Sequence, residues 1–239
     1  MKAANLVLLF VLVTVDAPML EASNPIKLVR QPLSNGEAIK LNFQAQEQMQ
    51  RGDLTNATRT IELAMQKDPT LWLTYFTRAR LFARERKYEL AIADCNWVLR
   101  KYPKFIDAAL LRAEANAHLG RYSDSLKELD YLVRIRPPLD SYARALQTRA
   151  WFLATCNDLS FRNGAQAVQD AKLACKLTNW NDEISIETLA VACAETGDFD
   201  SAVRYAQQAL GVSGISPPNS RRIQGHLALF KQRKPIRSS

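Results

Sequence analysis

The chain has 239 residues, 47% of them apolar, with only 8 glycines and 10 prolines, which excludes a collagenous, low-complexity or disordered protein. Its formal charge is +8 and unevenly placed: no acidic residue follows Asp200, whereas Arg204, Arg221, Arg222, Lys231, Arg233, Lys234 and Arg237 do. Four cysteines and two histidines contain no Cys-x-x-Cys pair and no Cys/His spacing suited to zinc, so no metal and no cofactor is expected.

In chain order, residues 1–22 read as a secretory signal peptide. Lys2 precedes an apolar run from Leu6 to Val15, and a more polar stretch ends at Ala22, where cleavage is expected. The run is too short to cross a bilayer as a helix, so the mature chain is expected to be exported, periplasmic or extracellular, without an integral span. Residues 23–36, with Pro25, Pro32 and Ser34-Asn35-Gly36, form an extended lead-in.

From residue 37 to 214 the chain repeats itself. Pro69, Pro103 and Pro137 recur every 34 residues, and Gly52-Asp53, Arg86-Lys87-Tyr88 and Gly120-Arg121-Tyr122 stand at equivalent points between them. Small residues recur as well: Ala57 and Ala64 before the first proline, Ala91 before the second, and Ser125 before the third. Each unit reads as helix, tight turn, helix, proline. Close helix crossing needs small residues, and proline stops the second helix because it lacks an N–H and restrains the residue before it. Repeat one places helices near 37–51 and 54–67; its first helix is polar, with Gln44, Gln46, Gln48 and Gln50, as suits an end unit facing water. Repeats two and three span 72–103 and 106–137. The fourth is irregular, about eight residues out of step, with a first helix from 139 to about 156, a loop over 157–164 and a second helix over 165–178. Repeat five returns to register with Gly197-Asp198-Phe199 and Ala202, Ala206 and Ala209. After a break over 211–219, a capping helix over 220–231 carries Ile223, Leu227 and Phe230 on one face, and residues 234–239 are expected to fray from it.

A helical hairpin this short cannot bury its apolar face alone, so such units come in stacks. On these residues the chain resembles the tetratricopeptide repeat family over residues 37–214. The segment 151–156, the following loop and Leu177-Thr178-Asn179-Trp180 look like a variant repeat of exported bacterial members. The resemblance implies an all-α, right-handed α-solenoid of five repeats with a C-terminal capping helix and basic tail over 215–239. It also implies a concave groove lined by the first helix of each pair. At those positions stand Leu73, Phe76, Arg80 and Arg84 in repeat two, and Leu110, Glu114, Ala117 and His118 in repeat three. Some members grip a C-terminal carboxylate there with Lys, Asn and Arg; the matching positions hold Asn42, Gln46, Thr77, Asp107 and Leu111, so that clamp is not expected.

Other chemistry finds little support in the residues. His118 and His226 have no neighbours arranged to activate a nucleophile and read as solvated surface groups, and no glycine-rich phosphate loop or nucleophile elbow is present. Cys95 and Cys193 read as inward packing residues, and Cys156 with Cys175 is the pair placed to form a disulfide in an oxidising compartment. The basic residues of repeat two, Arg78 to Lys104, read mainly as a solvated face, because the recurrent base-reading pair of RNA-binding helical repeats is absent. The expectation is a non-catalytic scaffold that binds an acidic protein or peptide segment through apolar contact with Leu73, Phe76 and Leu110 and charge-assisted hydrogen bonds from Arg80 and Arg84. Its alternatives are an envelope-assembly subunit acting partly through the basic tail, and a hydrolytic enzyme.

Overall fold

The computed structural model describes residues 36–237. The signal segment and residues 23–35 of the lead-in fall outside the described residues, and Gly36 begins the first helix. Within them lie eleven α-helices, one short 3-10 turn and no strand. The helices pair as antiparallel hairpins: α1 (Gly36–Gln50) with α2 (Leu54–Lys67), α3 (Trp72–Arg84) with α4 (Tyr88–Lys101), α5 (Ile106–His118) with α6 (Tyr122–Arg134), α7 (Leu139–Thr155) with α8 (Gly164–Leu177), and α9 (Glu183–Glu195) with α10 (Phe199–Leu210). The odd-numbered helices also stack on one another, each even-numbered helix packs on the next odd one, and α11 (Pro217–Lys231) covers α10 and α9. This is an all-α solenoid of helical repeats.

The turns show how the repeat is written. After α1, α3, α5 and α9 the chain closes the same motif, in which the second residue past the cap donates back to the carbonyl five residues earlier: Asp53 to Gln48 (2.9 Å), Lys87 to Phe82 (2.8 Å), Arg121 to Asn116 (2.9 Å) and Asp198 to Cys193 (3.0 Å). The residue between must be left-handed. It is Gly52, Gly120 and Gly197 in three of the turns and Arg86 in the fourth, at φ 59°. Helix starts are set by side-chain caps at Asp53, Asn163, Asp182, Asp198 and Ser216, each of which accepts a backbone N–H three residues on.

Small residues do the close packing. Ala57, Ile61 and Ala64 of α2 are buried, and Cys95 occupies in α4 the inward position that Ile61 occupies in α2. Small separate clusters hold the first two hairpins, whereas one continuous cluster runs from α5 to the C-terminal end. Within it, α9 is buried at every residue from Ser185 to Ala194, because α7, α8, α10 and α11 cover it on all sides.

Two expectations change. The last helix begins at Pro217 rather than 220: Ser216 caps it, and two prolines fit a first turn whose N–H groups have no helical partner. Residues 234–237 do not fray, since Ile236 is 8% exposed and Arg237 donates to Glu195 at 2.6 Å, which docks this stretch on the end of α9. The irregular fourth unit comes from a 17-residue α7 followed by a 3-10 turn over Leu159–Phe161, closed when the Asn163 N–H donates to the Leu153 carbonyl at 2.9 Å. Gly164 then starts α8 against the turn after α9; a Cβ there would meet Thr196 Cγ2 at 2.9 Å.

Candidate functional site

The odd-numbered helices are tied along their common face by side chains reaching across repeats. Gln46 of α1 donates to Thr77 of α3 (3.3 Å), Arg84 of α3 donates to the Met49 carbonyl in the last turn of α1, Arg144 of α7 pairs with Asp107 of α5 (2.7 Å), and Gln147 of α7 donates to Thr188 of α9 (3.2 Å). The Arg84 contact places a cation on a carbonyl at the C-terminal end of α1, which suits the helix dipole.

Between α3 and α5 this face opens into a cleft of about 290 Å³ lined by Arg80, Arg84, Tyr88, Leu111, Glu114 and His118. Glu114 and His118 also line a second hollow of about 360 Å³, which continues past Tyr122, Trp151 and Ile184 to Glu187 and Arg222. The two share those residues and form one continuous surface. Five of the eight residues expected in the groove, Arg80, Arg84, Glu114, Ala117 and His118, are therefore brought together.

The other three are not. Leu110 is 3% exposed and belongs to the core under α5. Phe76 packs edge-on against Phe105, ring centroids 4.9 Å apart, in the seam that Trp72 also fills. Leu73 is half-buried and lines neither hollow.

The electrostatics of the cleft follow from crowding. Arg80 forms no ion pair among the described residues, and desolvation, then the neighbouring Arg84 and Arg144 charges, pull its pKa below the usual guanidinium value despite Asp107 nearby. Glu114 touches water but is ringed by protein. Desolvation holds its carboxyl above the usual range, with only Arg144 opposing. His118 stacks flat on Tyr88 (4.5 Å, 5°), and desolvation and Arg86 hold its pKa down.

At the far end, Glu187 of α9 is 1% exposed and accepts from Arg222 Nη2 at 2.6 Å, with His226 Nδ1 at 2.8 Å. The imidazole N–H is poorly aligned for a hydrogen bond at this contact. Burial raises the Glu187 pKa, but the imidazole and guanidinium outweigh it and hold the carboxyl below its usual range. His226, whose ring centroid also lies 5.9 Å from that of Trp151, is thus a partly buried clamp on Glu187 rather than the expected solvated group.

Sequence reading also missed a periodic ion pair. Arg78 of α3 makes two hydrogen bonds of 2.7 Å to Asp94 of α4, and one period later Arg112 of α5 does the same to Glu128 of α6 at 2.5 and 3.1 Å. Arg149 and Asp170 repeat it in the irregular unit at 2.7 and 2.9 Å. Arg78 is therefore no part of a solvated basic face. The signal was available, since 78 and 112, and 94 and 128, are separated by the same 34 residues as the prolines.

All four cysteines are free and buried. Burial pushes the thiols of Cys95 and Cys175 up to about 12 and that of Cys193 up to about 11, values at which almost no thiolate forms at neutral pH. Among the described residues no group of three or more His, Cys, Asp or Glu could hold a metal ion, and no helix is long and apolar enough to cross a membrane.

Comparison with known proteins agrees with this architecture. Residues 76–140 match the tetratricopeptide repeat family model. Human serine/threonine-protein phosphatase 5 is 25% identical over 100 residues, which cover 42% of this chain and 20% of the phosphatase. The tetratricopeptide repeat and J domain-containing co-chaperone DNJ1 of Cryptococcus neoformans is 27% identical over 158 residues, 66% of this chain and 29% of the co-chaperone. The chain thus spans less than a third of the length of these curated relatives. Among solved structures, a thermophilic tetratricopeptide repeat protein of Thermus thermophilus superposes with a TM-score of 0.68 at 18% identity, covering 80% of this chain and 100% of that one. PilF of Pseudomonas aeruginosa superposes with a TM-score of 0.60 at 14% identity, covering 83% and 90%. With its 34-residue period, its stacked helical hairpins and these matches, the chain has the fold of tetratricopeptide repeat proteins and carries a match to their family model over residues 76–140.

Proposed function

We propose that the chain is a non-catalytic scaffold that holds an acidic segment of a partner protein in the cleft along α3, α5 and α7. The observation that carries this reading is Arg80, a cation without an ion pair among the described residues, crowded by Arg84 and Arg144 in an open cleft. A carboxylate or phosphate there would relieve the mutual repulsion of the guanidiniums and accept charge-assisted hydrogen bonds. Apolar contact comes from Trp151 and Ile184 of the adjoining hollow, in place of Leu73, Phe76 and Leu110. The cross-repeat ties keep the cleft formed before the partner arrives, which lowers the ordering cost of binding. Likeness to a tetratricopeptide repeat and J domain-containing co-chaperone supports a protein ligand.

Export completes the reading, supported by the pattern of Lys2, the Leu6 to Val15 run and Ala22. The alternative of a membrane-assembly subunit working through its basic tail is weakened, since Arg222 and Arg237 are engaged with Glu187 and Glu195.

The test is selection of a random peptide library on the full chain, followed by titration of the selected peptides against wild type and Arg80→Glu. The expected outcome is enrichment of Asp and Glu, weaker binding as salt rises, and an affinity loss of about tenfold or more in the variant. Peptides without acidic bias, or affinities that Arg80→Glu leaves unchanged, would refute the reading.

A further inference from the structure

The opposite face of α5 carries a second groove, and it is the larger one. Leu111, Glu114 and His118 line the concave cleft, while Ala109, Arg112 and Asn116 line a groove of about 1230 Å³ between α4 and α6. Residues two apart on a helix point about 200° away from each other, so Arg112 and Glu114 necessarily serve different surfaces. The short turns on either side of α5 make α4 and α6 both antiparallel to it, so they form two like-directed walls above an α5 floor.

The floor is held rigid by Arg112, which donates to Asn96 of α4 (2.5 Å) and to Glu128 of α6 (2.5 and 3.1 Å). The walls are apolar where a folded protein would ordinarily hide such side chains. Tyr131 is 52% exposed and Ile135 43%, and Ile92 and Leu99 face them from α4. Around this stripe stand Arg100 and Lys104 on the α4 side and Lys127 on the α6 side, none of them in an ion pair among the described residues. Arg134 lies over the Tyr131 ring at 5.9 Å. With Glu128 taken by Arg112, Asp124 is the remaining carboxylate of the lining.

We propose that this groove docks an acidic amphipathic helix of a partner protein, separately from whatever occupies the concave cleft. The charge of the walls selects acidic flanks and their exposed side chains select an apolar stripe. A helix is favoured over an extended strand because wall helices offer no unpaired backbone N–H or C=O for a strand to bond, whereas a helix satisfies its own. The wall from Ile92 to Pro103 is roughly 16 Å long, which matches about three turns of the incoming helix.

The probe is a synthetic peptide of about four turns with Leu at helical spacing and Glu on both flanks. Its controls are a Lys-for-Glu version and a scrambled peptide of identical composition. Each is titrated into the full chain by fluorescence anisotropy, with wild type, an Ile135→Glu, Lys127→Glu double variant and Arg80→Glu. Both groove side chains are exposed, so the double variant is expected to keep wild-type circular dichroism. The expected result is binding of the Glu peptide alone, weakened about tenfold or more by the double variant and unchanged by Arg80→Glu. Absence of binding, equal binding of the scrambled or Lys peptide, or sensitivity to Arg80→Glu instead would overturn the proposal. So would concentration-dependent dimerisation of the wild type that the double variant abolishes, because the groove would then belong to a second copy of the chain.

Discussion

The regular and irregular halves of the solenoid are held together in different ways. In the first two hairpins, where the 34-residue period is cleanest, the buried clusters are small and separate, and polar ties such as Arg78 to Asp94 and Arg84 to Met49 do much of the joining. From α5 onward, through the regular third hairpin and the units after it where the period slips, a single apolar cluster runs to the C-terminal end and surrounds α9. A perfect repeat gives each unit only its neighbours to pack on. The longer α7, the inserted turn and the cap break the repeat and enclose one helix completely. Regularity of sequence is thus no measure of depth of core.

The largest expected effect contrasts the two cores directly. Leu189→Ala, at a site with no solvent exposure, should cost about 2–5 kcal/mol and loosen α7 to α11 together. Ile61→Ala, at 1% exposure, should instead fray α1 and α2 while amide protection in α9 stays at its wild-type level. Native-state hydrogen exchange checks both. Loss of α9 protection in Ile61→Ala would mean that the halves unfold as one.

A middle effect concerns the cap. Arg222→Ala leaves the buried Glu187 carboxylate with His226 alone, and a loss of about 2 kcal/mol is expected near neutral pH. Because the folded Glu187 pKa is depressed, its contribution to stability is fully present above the unfolded value of about 4.3 and is lost as pH falls through the lower folded value. Denaturation curves of wild type and variant should therefore converge on acidification through that window. A constant gap would remove Glu187 as the cause.

The smallest effect tests the turns. Arg86 occupies a left-handed position that is glycine one period before and one period after. Arg86→Gly relieves about 1 kcal/mol of backbone strain but adds freedom to the unfolded chain, so a net gain below about 1 kcal/mol is expected. Thermal melts resolve the sign, and a clear loss would show that the Arg86 side chain contributes to stability.

Much of the candidate site could be read before folding, and the failures have identifiable causes. Arg80, Arg84, Glu114 and His118 were found because residues three and four apart share a helix face. Leu110 stands at the same spacing from Glu114 and is buried, since neighbouring helices cover that edge of α5 and spacing alone does not say how wide a face stays open. Arg84 was read as free for a ligand, yet its guanidinium meets a backbone carbonyl 35 residues away, and backbone acceptors leave no mark in a residue pattern.

The sequence by itself determined most of the helix boundaries, the hairpin order and the proline-closed period, because caps, left-handed turns and helix stops depend on residues within a few positions of one another. Only the tertiary structure decided which cations are spoken for, that α9 is enclosed, that Ile236 and Arg237 are docked, and that α5 serves two grooves on opposite faces. Those outcomes depend on distances between side chains 16 to 42 residues apart, which are set when hairpins stack and the curvature of the stack brings their faces together.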